Sequence, residues 1–252
     1  MAVLAGADAG LALRIGAAMS LLQLGIGTLN DVVDAPADAG LKPGKPIPAG
    51  LVDPVAARAA AVACFVAGTA LAASAALVLV PLAVLVIGIG LAYDLRLKGT
   101  AWSWLPFAVG IPILPVFGWL GATGTLPSAF VVLVPAAVAA GAALAIGNSL
   151  VDVERDLAAG RSSVAATLGP RRAGAVASGL FGAVAAAAVL TAWLAGAAPV
   201  AMAGVLVTGI VVVVASVLAR TAGPDRREWA WRIEAAASGV LAILWLAAVP
   251  VT

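Results

Sequence analysis

The sequence contains no histidine and a single cysteine, Cys64. That excludes a disulfide framework within the chain, Cys/His zinc sites, histidine haem ligation and any mechanism built on a histidine base. Charge is nearly as scarce. Asp, Glu, Lys and Arg make up 10% of the 252 residues, where a soluble domain carries about 25%. Aromatics reach only 5%, with Tyr93 the one tyrosine. So little charge excludes a water-soluble enzyme, a disordered segment and a nucleic-acid binder. What the sequence has in quantity is apolar: 63% hydrophobic residues and a mean hydropathy of +1.14. An integral membrane protein is expected, with its chemistry carried by Asp, Glu, Lys, Arg, Asn, Tyr and Ser/Thr.

A helix needs about 20 apolar residues to cross a hydrocarbon core of about 30 Å. Hydropathy predicts spans near 9–29, 55–78, 80–94, 103–122, 128–151, 173–196, 200–219 and 230–250, with a tight turn between Ser74 and Pro81. The expected fold is all-α: a polytopic transmembrane bundle of about eight spans forming one domain over 1–252. Its Ala, Gly and Val content predicts close helix contact through small residues.

Thirteen of the 14 basic residues fall in or beside segments 30–58, 94–102, 152–172 and 220–232. These are alternate loops of an eight-span chain, and the opposite loops near 79, 119–127 and 197–199 carry no charge. The positive-inside rule then puts the charged loops in the cytoplasm and both termini outside a multi-pass protein of the cell membrane.

The acidic residues share those loops. Asn30-x3-Asp34-x3-Asp38 and Asn148-x3-Asp152-x3-Asp156 repeat one spacing 118 residues apart, each at a span end and each followed by a glycine, Gly40 or Gly160. This reads as an internal duplication. Positions i and i+4 share a helix face, so each copy predicts a polar stripe about two turns long. Two stripes facing each other would gather at least four carboxylates, whose repulsion a divalent cation relieves. Mg²⁺ is held by one or two carboxylates plus phosphate oxygens, and Lys42, Lys45, Arg96, Lys98, Arg155 and Arg161 supply cations for a diphosphate. For either cluster alone, solvated loop charge is the simpler reading; the repeated spacing favours a site.

These residues carry a resemblance. NDVVDAPADAGLKPGKPIPAG, from Asn30, resembles the first aspartate-rich motif of the UbiA family of intramembrane prenyltransferases, NDxxDxxxD followed by a basic stretch. DVERDLAAGRSSVAATLG, from Asp152, resembles the second, and YDLRLKGT at 93–100 is similar to the tyrosine–lysine loop between them. The resemblance implies a helical bundle with a cavity open to lipid, binding an allylic prenyl diphosphate through Mg²⁺. It implies metal ligands at Asn30, Asp34 and Asp38 and at Asp152 and Asp156, with Asp31 and Asn148 at the matching motif positions. It also implies diphosphate contacts from Tyr93, Lys98, Lys42, Lys45 and Arg161. The expected reaction ionises the allylic C–O bond and transfers the prenyl group to an aromatic or other lipophilic acceptor. PIPAG and DVE lean towards branches that prenylate chlorins, homogentisate or glycerol ethers.

The family usually has nine spans, and here residues 1–8 precede the first. Pro36 is expected to strain a continuous helix and set Asp38 on a turn. Arg155 stands where a small residue is common, placed either to pair with phosphate or to crowd the metal. Trp102, Trp104, Trp229 and Trp231 read as an interfacial belt, with cation-stabilising contact in the cavity the other reading for Trp102, Trp104 and Phe107. Arg226, Arg227 and Arg232 read as orientation or head-group contacts, with a diphosphate role the weaker reading, and Asp53 as the cap of a helix starting at Pro54. Rival readings are a terpene cyclase of the same fold and a membrane transporter. Transporter sites lie near the bilayer midplane on interrupted helices, whereas here every carboxylate but Asp8 lies at or near a cytoplasmic span end.

Overall fold

The computed structural model describes residues 1–40 and 44–249. All regular structure among them is helical: α1 (Ala9–Asp38), α2 (Pro54–Ala75), α3 (Leu79–Ala92), a π-helical turn (Tyr93–Leu97), α4 (Leu105–Thr123), α5 (Phe130–Val151), α6 (Val153–Ala158), α7 (Val164–Leu168), α8 (Pro170–Leu194), α9 (Pro199–Ala219) and α10 (Pro224–Ala248). Eight of these segments are long and apolar enough to cross a membrane, as the hydropathy predicts.

Local chemistry places the helix ends. Four helices start with proline at a first-turn position, α2, α8, α9 and α10, where the missing N–H has no intrahelical role. Asp53 caps α2 by accepting from the Ala56 N–H at 3.0 Å. Asp8 caps α1 through the N–H groups of Leu11 and Gly10, at 3.0 and 2.8 Å. These bonds, Leu11's first, hold its carboxyl below the usual value. The third span gains length from its π-helical end, which extends it to Leu97.

The chain divides into two units. The first comprises the described residues of Met1–Arg96 with Ile113–Leu126. Its core is Ile15, Ala18 and Leu22 of α1 with Leu79 and Ala83 of α3 and Phe117 of α4. Small residues let α1 and α2 approach closely. A Cβ on Gly25 would lie 2.5 Å from the Phe65 ring, and one on Gly68 would lie 3.0 Å from the Ala18 carbonyl oxygen.

The second unit comprises Leu97–Pro112 and the described residues from Pro127 on. Ala143 and Leu144 of α5 pack with Phe181 of α8, Val212 of α9 and Ala237 of α10. A Cβ on Gly141 would collide with the Phe107 carbonyl, and one on Gly209 would come within 3.1 Å of Ala185. Two polar pairs lie within this bundle: the Ser178 and Ser216 hydroxyls lie 3.1 Å apart, and Trp245 Nε1 donates to Thr191 Oγ1 at 2.7 Å. Trp231 is half-buried, and its Nε1 donates to the Leu144 carbonyl at 3.0 Å. Trp229 is exposed, with the Arg232 guanidinium 5.1 Å from its ring centroid.

Candidate active site

The first motif stands on α1. At about 1.5 Å per residue, 30 residues reach about 45 Å, well over the hydrocarbon thickness, so the helix carries its polar end past the apolar span. Asn30, Asp34 and Asp38 share one continuous helix, and Pro36 lies inside it. The expected turn at Asp38 is absent: proline here forfeits only the bond to the Val32 carbonyl, two residues before the helix ends. Ala39 closes the end by donating to the Ala35 carbonyl at 3.1 Å, and Gly40 follows at φ 76°.

Lys45 returns to this helix end. Its Nζ lies 2.6 Å from Asp31 and 3.0 Å from Asp38, which is 6% exposed. Burial lowers the lysine's pKa, but hydrogen bonds to Asp31 and Asp38 outweigh it and leave the group above its ordinary value. Asn30 Nδ2 donates to Asp94 Oδ1 at 2.7 Å. Asp94 is 6% exposed and lies on the π-helical turn directly after Tyr93. Such turns recur at functional sites because the extra residue re-aims side chains. This bond to Asp94 fixes the orientation of the Asn30 carboxamide. Asp34 and Tyr93 are half-buried, and Lys42 lies outside the described residues.

The second motif is shaped differently. α5 stops at Val151, Asp152 takes φ −101° and ψ 7°, and α6 restarts at Val153. The expected two-turn stripe is therefore broken, with Asn148 on α5 and Asp156 on α6. Asp152 pairs with Arg155, and Asp156, 8% exposed, lies 3.7 Å from Arg161. Arg155 thus meets a motif carboxylate. The Arg161 backbone N–H also donates to the Asp156 carbonyl at 2.8 Å, closing the loop at Gly160. Ser149 Oγ accepts from the Ala165 N–H at 3.1 Å and ties α5 to α7. Gly99, at φ +72°, packs where a Cβ would lie 3.7 Å from Arg161 Cδ, so the loop bearing half-buried Lys98 reaches the tail of this motif.

Beside it is an apolar cavity of about 710 Å³, lined among others by Trp102, Trp104, Ala139, Ile146, Val164 and Leu180. Trp102 and Trp104 stack with centroids 6.5 Å apart. They face this cavity as well as the span end.

Two functional candidates escape the sequence reading. Asp94 carried a usable signal, a carboxylate inside a segment already singled out. Arg227 carried none: it bonds Glu154 from 73 residues away. Among the described residues of either unit, no three carboxylates gather closely enough to hold a metal unaided. Each motif brings one or two carboxylate oxygens with a cation against them. That oxygen-only set suits Mg²⁺, which completes its shell with water and substrate phosphate.

Comparison with known proteins adds three findings on fold. A UbiA homologue from Aeropyrum pernix K1 superposes with a TM-score of 0.76 at 20% identity, covering 98% of this chain and 92% of that one. A UbiA homologue from Archaeoglobus fulgidus, bound to GPP and Mg²⁺, gives 0.72 at 17%, covering 98% and 93%. A digeranylgeranylglyceryl phosphate synthase gives 0.72 at 15%, covering 95% and 86%. No protein of curated function matches the sequence. The profile of the UbiA prenyltransferase family matches residues 1–249, and the chain belongs to that family.

Proposed function

We propose that this protein is a Mg²⁺-dependent prenyltransferase that moves a prenyl group from an allylic prenyl diphosphate to an aromatic or other lipophilic acceptor within the membrane. The observation that carries this reading is the pair of acidic motifs at one spacing, each meeting basic side chains at the end of a membrane-length helix, in a chain of this family. A relative bound to GPP and Mg²⁺ supports it.

In this reading Asn30, Asp34 and Asp38 hold one ion and Asp152 and Asp156 the other. Bound there, Mg²⁺ supplies positive charge to the diphosphate as the C–O bond lengthens. The protein's own groups do the rest. Lys45 exchanges its carboxylate partners for diphosphate oxygens, an exchange that leaves every charge paired. Lys42, Lys98, Arg161 and the Tyr93 hydroxyl take further oxygens, with Asp31 and Asn148 orienting the polar ends. The apolar cavity beside Trp102 and Trp104 excludes water from an allylic cation and offers it aromatic faces. The charged loops lie in the cytoplasm and the termini outside, because thirteen of the 14 basic residues fall in or beside alternate loops.

The test is mass spectrometry of lipid extracts from membranes with and without the protein, supplied with defined prenyl diphosphates. A prenylated lipid that appears with the protein and Mg²⁺, and vanishes with EDTA, is expected. Diphosphate release that yields only a cyclised hydrocarbon, or no product from any donor, overturns the transferase reading.

A further inference from the structure

Three arginines near the start of α10 look alike in the sequence, but one has a different structural role. Arg232 is exposed, bonds Glu228 one turn away at 2.6 Å and covers Trp229. Arg226 is exposed as well. Arg227 points inward with its side chain 13% exposed. Its Nη1 donates to the Leu150 carbonyl at 3.2 Å and to Glu154 Oε1 at 2.6 Å, while Nε donates to the Ala222 carbonyl at 2.9 Å.

Leu150 lies in the last turn of α5 and Glu154 in the first turn of α6. Asp152 is the residue between those helices. The guanidinium therefore holds both sides of the break in the second motif. Carbonyls in a last helical turn lack intrahelical donors, so the bond to Leu150 satisfies an end that the break creates. A guanidinium donates through a planar, fixed fork, so satisfying Leu150 and Glu154 from one nitrogen, with Nε anchored on Ala222, restricts how α6 leaves α5. The ion pair also occupies Glu154, the motif carboxylate with no place in the repeated spacing, and so keeps it from competing for a cation.

We propose that Arg227 is a positioning residue for the metal held by the second motif, setting Asp152 and Asp156 in register across the helix break; this rests on the metal assignment proposed above. A head-group contact does not account for the bonds to the Leu150 and Ala222 carbonyls, and mere docking of α10 on α5 would leave Glu154 without a role.

The test uses the purified full-length chain in nanodiscs with Mn²⁺ as the probe, read by loss of the free Mn²⁺ paramagnetic resonance signal. A geranyl thiolodiphosphate that does not turn over is present throughout. Asp152→Ala identifies the second-motif site as the Mn²⁺ affinity it removes. Arg227→Ala is expected to weaken that affinity by about 10–100-fold, the usual effect of losing an outer-shell partner. Arg227→Lys keeps the charge but loses the fork, and should recover only part of the affinity. Arg227→Ala with Glu154→Gln should bind no worse than Arg227→Ala alone, because both act through one contact.

If Arg227→Ala does not fold, Arg227→Lys and Glu154→Gln carry the test. Variants with a lowered Tm but native Mn²⁺ affinity overturn the proposal and leave Arg227 a packing residue. Native affinity in Asp152→Ala overturns the metal assignment itself, whereas loss in Asp152→Ala with native affinity in the arginine variants overturns the role of Arg227 alone.

Discussion

In the first motif Asn30, Asp34 and Asp38 stand on one helix that runs unbroken to Asp38, whereas in the second the helix stops at Val151 and restarts at Val153. Proline sits in the continuous copy and is absent from the broken one. An i, i+4 spacing fixes a shared face only while the helix lasts, so one pattern supports two geometries. The partners differ accordingly. The first motif is held by Lys45 and Asp94, the second by Arg155, Arg161 and, across its break, Arg227. The continuous helix needs side chains only to aim its residues, whereas the broken one also needs something to fix the bend.

The sharpest way to break the comparison is to ask whether both motifs are needed. Asp34→Ala and Asp152→Ala are each expected to lower Mg²⁺-dependent diphosphate release by at least about 10²-fold, the scale on which lost transition-state electrostatics act. Membrane insertion should persist. Release of diphosphate from a labelled prenyl donor is the measurement. Full activity in either variant would make that motif structural and end the two-ion reading.

The spans, their turns and both motifs were legible in the sequence because hydropathy and spacing are properties of neighbours along the chain. The turn of Ala76–Val78 and the Asp53 cap follow from local rules, whereas composition announces close helix contact without naming Gly25 or Gly68 as its place. The break at Asp152 did not announce itself, since no glycine or proline marks it. Arg227 of α10 bonds across it, 77 residues from Leu150, and no local pattern encodes so distant a bond. Pro36 misled in the opposite direction: near a helix end its missing donor costs little, so the helix continues through it.

Next in size is Asp94. Replacing it by alanine removes the acceptor of the Asn30 amide and should weaken cation binding at the first motif by about 10-fold or more. The site of the second motif should be unchanged. Mn²⁺ titration of Asp94→Ala beside Asp152→Ala resolves the two sites, and an equal loss at both would erase the distinction between an aimed motif and a bent one.

Pro36→Ala offers a smaller effect with the opposite sign. Alanine restores a donor for the Val32 carbonyl and removes the ring clash, so stability should rise by a fraction of what an interior proline costs, which is ~3 kcal/mol, and be read as a higher Tm. Mn²⁺ affinity should stay within about twofold, because Asn30, Asp34 and Asp38 already share one helix with the proline in place. A large loss of affinity would mean that the proline bends α1 into a binding shape, and the two motifs would then be alike after all.

The smallest effect concerns the cations themselves. Lys45 has its pKa raised above 10.5 because Asp31 and Asp38 favour its charged form more than burial opposes it. A group raised on folding stabilises the fold fully below its unfolded value and loses that contribution as pH climbs through its folded one. Its contribution is therefore whole at pH 7 and fades only above about 10.5. Thermal denaturation of wild type and Lys45→Arg should give parallel curves from pH 7 to 10 and then diverge, with the arginine variant losing less. Divergence beginning near neutral pH would show that Lys45 is held less firmly than its two carboxylate contacts require, and that the first motif depends on another cation.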